Sequence, residues 1–259
     1  MVEELVEAGA VLSQAVQSHY GVPKLRSVVA RNDSTGQMDL ILALPRELSR
    51  LNVYAFVQEQ LELFGLSLPL DSIVIVRDDE PGLRELLDLA GSVPTGTVRD
   101  GAGIEFAGRV YSDPRRVRLT GRVYERAVGT MLAGLPGIIL EEADQWQESL
   151  SVPWHVPISL RPDFVVRGQA NRLVVEAKIF SQKNLNNRFV ESLGKVAYWE
   201  RRLNSRLGLL IITNEAIPSN ARALYSGLIG AEMVAWAPGN APVEVVEALD
   251  RLQTRELHR

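Results

Sequence analysis

Apolar residues recur at helical spacing through Leu5, Val6, Ala8, Val11, Leu12, Ala15 and Val16, which predicts an amphipathic helix over residues 3–18. Gly21-Val22-Pro23 stops it. Two strands follow, over 25–31 and 38–44, on either side of Asn32-Asp33-Ser34-Thr35-Gly36, a run with turn composition. Pro45 predicts a helix start, because proline is tolerated in a first turn, and that helix extends to about Phe64. Residues 72–76 (SIVIV) read as a short buried strand, and Asp79-Glu80-Pro81 opens a helix ending near Gly91. The order helix, strand, strand, helix, strand, helix predicts a small α+β domain over residues 1–95. Its acidic run Asp78-Asp79-Glu80 reads either as negative charge at a helix N-terminus or as a metal site. Nothing else in it signals chemistry, so an accessory role in oligomerisation or sensing is expected.

Residues 96–119 lose this regularity. They are rich in Gly, Ser, Thr, Pro and Arg, with short strand-like pieces near 104–106 and 109–111, and read as a connector. Periodicity returns beyond residue 120. A helix over 121–134 ends at Gly134-Leu135-Pro136-Gly137, a strand follows at 138–140, and two apolar strands flank Gly168-Gln169-Ala170-Asn171, a hairpin turn composition. An amphipathic helix covers 186–203, with Phe189, Leu193, Val196, Ala197 and Leu203 on one face and Arg188, Ser192, Lys195, Trp199 and Arg202 on another. Residues 207–213 (LGLLIIT) are apolar throughout, as a central parallel strand requires. A helix at 219–229, a strand at 232–236 and a helix from 243 to about 257 complete an α/β layer over 120–259.

Composition narrows the chemistry. The chain has 259 residues, 46% hydrophobic and 23% charged, and no cysteine, which removes disulfides, thiolate catalysis and sulfur-bound zinc. His19, His155 and His258 are too scattered for a local metal motif, so any bound metal should be held by oxygen. An acidic N-terminus and the lack of any run of roughly 18 apolar residues predict a cytoplasmic protein without a membrane partner. The net charge of -4 is unevenly spread: residues 1–95 carry 7 Lys+Arg against 14 Asp+Glu, and the remainder 21 against 18. Positive charge therefore lies with the second half. Arg115, Arg116 and Arg118 in the connector, and Arg188, Lys195 and Arg202 on the helix over 186–203, are candidate nucleic-acid contacts. Solvated surface is the alternative.

The hairpin concentrates the charge problem. With the turn centred between Gln169 and Ala170, Phe164 faces Val175, Val165 faces Val174, and Asp163 falls opposite Glu176. Opposed like charges destabilise a sheet, and a core strand makes an unpaired charge costly. Something positive should lie between them: Lys178, two residues beyond Glu176 and so on its face, or a hard divalent cation. A surface hairpin with a weak Glu176–Lys178 ion pair fits poorly, since Val174, Val175, Ile179 and Phe180 leave no solvent face.

Pro162-Asp163, twelve intervening residues and Glu176-Ala177-Lys178 together resemble the PD-(D/E)xK phosphodiesterase superfamily, the restriction-endonuclease-like nucleases. The resemblance spans roughly residues 120–215. It implies an α/β fold in which a mixed sheet is flanked by helices, here preceded by the small α+β domain. It also implies a nuclease hydrolysing phosphodiester bonds, DNA in preference to RNA, with Mg²⁺ or Mn²⁺ as cofactor. The metal would be held by Asp163, Glu176 and the backbone carbonyl of Ala177, with Lys178 orienting water and stabilising negative charge. Superfamily members often add an acidic residue from a preceding helix, for which Glu125 is the candidate and Glu141 and Glu142 the fallback. They also often add a Lys or Gln from the helix after the motif, where Lys195 is the nearest match. The competing expectation is a catalytically silent module for nucleic-acid binding or assembly. Homo-oligomerisation is compatible with either.

Overall fold

The computed structural model describes residues 2–22, 24–92, 103–146, 148–150, 158–168, 172–179, 185–219, 222 and 231–254. The chain divides into two compact units, Met1–Val123 with Pro238–Asn240, and Tyr124–Ala237 with Ala241–Arg259.

The first unit runs α1 (Val2–Tyr20), β1 (Arg26–Asn32), β2 (Met38–Leu44), α2 (Arg50–Leu63), β3 (Ile73–Arg77), α3 (Leu83–Ser92), β4 (Ile104–Phe106) and β5 (Arg109–Arg116). Its strands lie in the order β3-β2-β1-β5-β4, with β2 and β3 parallel and the other pairs antiparallel. Strand side chains alternate between faces, so one sheet supports two cores. Val29, Leu40, Leu42 and Leu44 pack with α1 and α2, while Val28, Ala30, Ile41 and Ala43 pack with α3.

Three expectations change here. Pro45 does not open α2; it begins a turn closed by the Leu48 N–H on the Pro45 carbonyl (3.2 Å), and the helix starts after Ser49, whose hydroxyl accepts from the Asn52 N–H. Asp79 forms an ion pair with Arg46 and lies four residues before α3 begins. The stretch expected to be a connector supplies β4 and β5, with β5 paired to β1. Its inward residues Ile104, Phe106 and Tyr111 are buried, but Arg109 between them and Arg115 and Arg116 after them hid the alternation.

The division between units falls within α4 (Gly121–Gly134). There follow β6 (Ile139–Leu140), β7 (Ser149–Leu150), β8 (Ile158–Ser159), β9 (Phe164–Arg167), β10 (Arg172–Lys178), α5 (Leu185–Leu203), β11 (Leu207–Thr213), β12 (Ala231–Ala235) and α6 (Val243–Thr254). Strands β7 and β8 pair separately; the main sheet has the order β12-β11-β10-β9-β6. Its β10, β11 and β12 are parallel, and β9 and β6 join antiparallel. Strand β11 is buried along its whole length, as a central parallel strand must be. Helix α5 covers one face through Phe189, Val196 and Trp199, packed with Val165, Val174, Leu209, Ile211 and Met233. Helix α6 contributes Val245, Ala248, Leu249 and Leu252 to the interior. The fold is thus a mixed α/β arrangement with two mixed sheets. The helix expected over 219–229 falls, apart from Ser219 and Arg222, outside the described residues.

The hairpin has the register derived from its turn: Arg172 pairs with Arg167, Leu173 with Val166, Val174 with Val165 and Val175 with Phe164. Helix α4 approaches it at Gly129, where a Cβ would stand 2.9 Å from the Phe164 ring. Among the described residues no helix is long and apolar enough to cross a membrane.

Candidate active site

Strand β9 begins immediately after Asp163, and β10 carries Glu176, Ala177 and Lys178 at its far end. Antiparallel register therefore brings the two carboxylates together at the hairpin base. The Asp163 N–H donates to Glu176 Oε1 at 3.2 Å, and the Ala177 N–H donates to Asp163 Oδ2 at 2.8 Å. These crossed backbone bonds fix both acids without ordering a long side chain. Glu176 is fully buried, and a carboxylate so withdrawn from water persists only with positive partners.

Two ammonium groups supply them. Lys178 Nζ stands 3.1 Å from Asp163 Oδ2 and 2.7 Å from Glu176 Oε2. Lys195 Nζ, from α5, donates to Glu176 Oε1 and Oε2 at 3.2 and 2.9 Å, and lies 4.0 Å from Asp163 Oδ1. Burial works against a charged Lys178, but Glu176 and Asp163 outweigh it and hold its pKa above the ordinary lysine value. Lys178 is therefore a cation at neutral pH, suited to holding negative charge rather than taking a proton.

Glu125 belongs to the same neighbourhood. Its pKa is raised by burial first and by the charges of Asp163 and Glu176, against the opposing pull of Arg161 and Lys178. Arg161 Nη2 lies 3.5 Å from Glu125 Oε1. Glu141, the fallback, is engaged elsewhere: Arg167 and Arg172 reach its Oε1 at 3.3 and 2.8 Å, and Trp146 Nε1 donates to its Oε2. Glu142 is exposed just after β6.

The candidate nucleic-acid residues divide differently. Lys195 is not an exposed contact but a buried partner of Glu176, because α5 turns the Ser192, Lys195 and Trp199 face inward. Trp199 sits in the core and its Nε1–H donates to the Leu160 carbonyl at 2.8 Å, three residues before Asp163. Ala197, expected inside, is exposed. Trp199 is the largest side chain on the helix, and taking it as the inward anchor would have placed Lys195 correctly at i−4. Arg202 is exposed and pairs with Glu148 at 3.2 Å. The Arg188 side chain lies outside the described residues. Arg115, Arg116 and Arg118 belong to the first unit; Arg115 and Arg116 sit in β5, Arg115 bonded to Asp113 at 3.1 Å, and Arg118 is exposed. Arg161 is the residue that sequence reasoning missed, although it adjoins the Pro162-Asp163 pair.

Among the described residues no group of three His, Cys, Asp or Glu side chains is arranged to hold a metal. An ion here would rest on two carboxylates completed by backbone carbonyl and water, a hard-oxygen donor set of the type that Mg²⁺ accepts. Lys178, within 3.1 Å of both acids, stands where an ion shared between them would be drawn.

No family model matches the chain, and no curated protein matches it. A solved structure, the small subunit (R.BspD6I2) of the heterodimeric restriction endonuclease R.BspD6I, is similar over 51% of this chain and 79% of its own, at 12% identity and a TM-score of 0.32. That overlap is too loose to support residue-level correspondence.

Proposed function

We propose that the second unit hydrolyses phosphodiester bonds in nucleic acid, with DNA as the substrate and Mg²⁺ or Mn²⁺ as the cofactor. The observation that carries this reading is the convergence of Asp163 and Glu176 on one ammonium, Lys178, at the base of an apolar hairpin. Such a cluster is expensive to bury, and a merely structural hairpin has no use for it. Asp163, Glu176 and the Ala177 carbonyl would hold the metal, with Glu125 joining from α4. When bound, the metal lowers the pKa of water and neutralises phosphoryl charge. Lys178, held cationic, orients the attacking water and stabilises charge accumulating on the phosphate oxygens. Lys195 pairs the charge of Glu176 and holds its carboxylate in place. The Arg115, Arg116, Arg118, Arg188 and Arg202 side chains are proposed contacts to the nucleic-acid backbone. The first unit serves oligomerisation or sensing.

The test is supercoiled plasmid incubated with Mn²⁺, with and without EDTA, for the wild type and for Asp163→Asn and Lys178→Ala. Nicking that requires Mn²⁺, stops with EDTA and falls at least about a hundredfold in each variant supports the reading. Plasmid that is bound but never cut leaves a non-catalytic nucleic-acid-binding module in its place.

A further inference from the structure

We infer that Arg161 receives a substrate phosphate, and that it does so by exchanging its Glu125 partner for the phosphate oxygens. This deepens the function proposed above and rests on it. A nucleic-acid backbone entering the site meets three carboxylates, Asp163, Glu176 and Glu125, and two lysines that are already committed to them. Lys178 and Lys195 have side chains only 13% and 7% exposed, and both are clamped on carboxylates. In the metal-free site, withdrawing either one would take from the fully buried Glu176 one of its two cationic partners. Among the described residues around these acids, Arg161 is the accessible cation. Its side chain is 45% exposed, the one described partner of its guanidinium is Glu125 at 3.5 Å, and it lies two residues from Asp163 on a segment anchored by the Trp199 bond to Leu160.

That pair is weakly committed, since a half-exposed ion pair at such a distance contributes little. A phosphate offers a guanidinium two parallel charge-assisted hydrogen bonds, which are stronger. Glu125 acts as the counterweight. With the site empty it neutralises Arg161, and once Arg161 turns to phosphate the Glu125 carboxylate is released beside Asp163, whose charge it already feels. Substrate binding and completion of the acidic site are coupled by one guanidinium.

The experiment measures binding of a short labelled DNA duplex to the full chain in EDTA at several salt concentrations, for the wild type, Arg161→Ala, Arg161→Lys, Glu125→Gln and the Arg161→Ala/Glu125→Gln double variant. Arg161→Ala should weaken binding about tenfold and reduce the dependence of log affinity on log salt by about one. Arg161→Lys should keep the salt dependence while losing part of the affinity, which also controls for misfolding of the alanine variant. Glu125→Gln should tighten binding, and should do so much less when Arg161 is absent. Unchanged affinity and salt slope in Arg161→Ala overturn the inference. Equal tightening by Glu125→Gln with and without Arg161 overturns the exchange. Cleavage by the wild type in Mn²⁺ with unaltered Arg161→Ala binding removes this inference alone, whereas a wild type that neither binds nor cleaves removes the proposed function with it.

Discussion

Lys195 and Glu176 form a two-pronged ion pair inside the second unit, Nζ to Oε1 and Oε2 at 3.2 and 2.9 Å, with Glu176 fully buried and Lys195 nearly so. Removing one partner of a buried pair leaves an uncompensated charge, at a cost of about 3 to 5 kcal/mol. Lys195→Met, which keeps the length of the side chain, is therefore expected to destabilise the protein by about 3 kcal/mol, with Lys178 limiting the damage. Chemical denaturation at neutral pH measures this. A loss within about 0.5 kcal/mol, the range of ordinary surface substitutions, would mean that the pair does not hold Glu176 in solution.

Glu125 makes the opposite prediction. Its pKa is raised by burial, then by Asp163, so the folded protein binds a proton more tightly than the unfolded chain does. Stability then falls as pH rises from the unfolded glutamate value of about 4.3 through the higher folded value, and stays lower above it. Glu125→Gln removes the ionisation, so at pH 7 the variant should be at least as stable as the wild type, and the difference should vanish in acid. Thermal unfolding from pH 3.5 to 8 shows this directly. A variant less stable at pH 7 but not in acid would mean that the Arg161 contact outweighs the burial of charge.

The hairpin register was legible because a short turn and an apolar run on each side leave few alternatives, and a one-residue slip would turn every side chain to the opposite face of the sheet. The meeting of Asp163 with Glu176 followed from that register alone. The positive partner was only half legible. Lys178 is fixed by strand alternation, but Lys195 depends on which face of α5 turns inward, and a lysine in a helix reads by default as solvated. In the first unit, Tyr111 is buried in a strand whose neighbours include Arg109, Arg115 and Arg116, so binary patterning could not separate a sheet strand from a basic connector. The role of Trp199 was hidden for the same reason as that of Lys195: its contact is a backbone carbonyl 39 residues earlier, which local periodicity does not register.

Glu141 holds the opposite end of the hairpin. Arg167 and Arg172 are cross-strand partners, a like-charged pair that destabilises a sheet unless bridged, and Glu141 bridges them. Burial alone would raise its pKa, but the hydrogen bonds of Arg172 and Arg167 prevail and hold it below the usual carboxylate range. Its stabilisation is accordingly present above the unfolded value of about 4.3 and lost as pH falls through the depressed folded value. Glu141→Gln should cost about 2 kcal/mol at pH 7 and progressively less in acid. Urea unfolding at pH 7 and pH 3 tests both statements, and an equal loss at the two pH values would assign the effect to packing instead of charge.

Metal addition distinguishes the two ways in which Asp163 and Glu176 can be neutralised. With Lys178 bridging them and Lys195 on Glu176, the two acids are already charge-balanced without metal, so an ion gains affinity only by displacing the Lys178 ammonium toward solvent or substrate. Binding to the folded state alone raises stability by about 2.7 kcal/mol at a hundredfold excess over the dissociation constant. Mn²⁺ should therefore raise the unfolding temperature of the wild type, EDTA should reverse the rise, and Asp163→Asn should abolish it while leaving the metal-free unfolding temperature within a few degrees of the wild type. Lys178→Ala should bind the ion more tightly, because no ammonium competes for the carboxylates, and yet cleave more slowly. Tighter binding with unimpaired cleavage would reduce Lys178 to a counter-ion and remove it from the catalytic machinery.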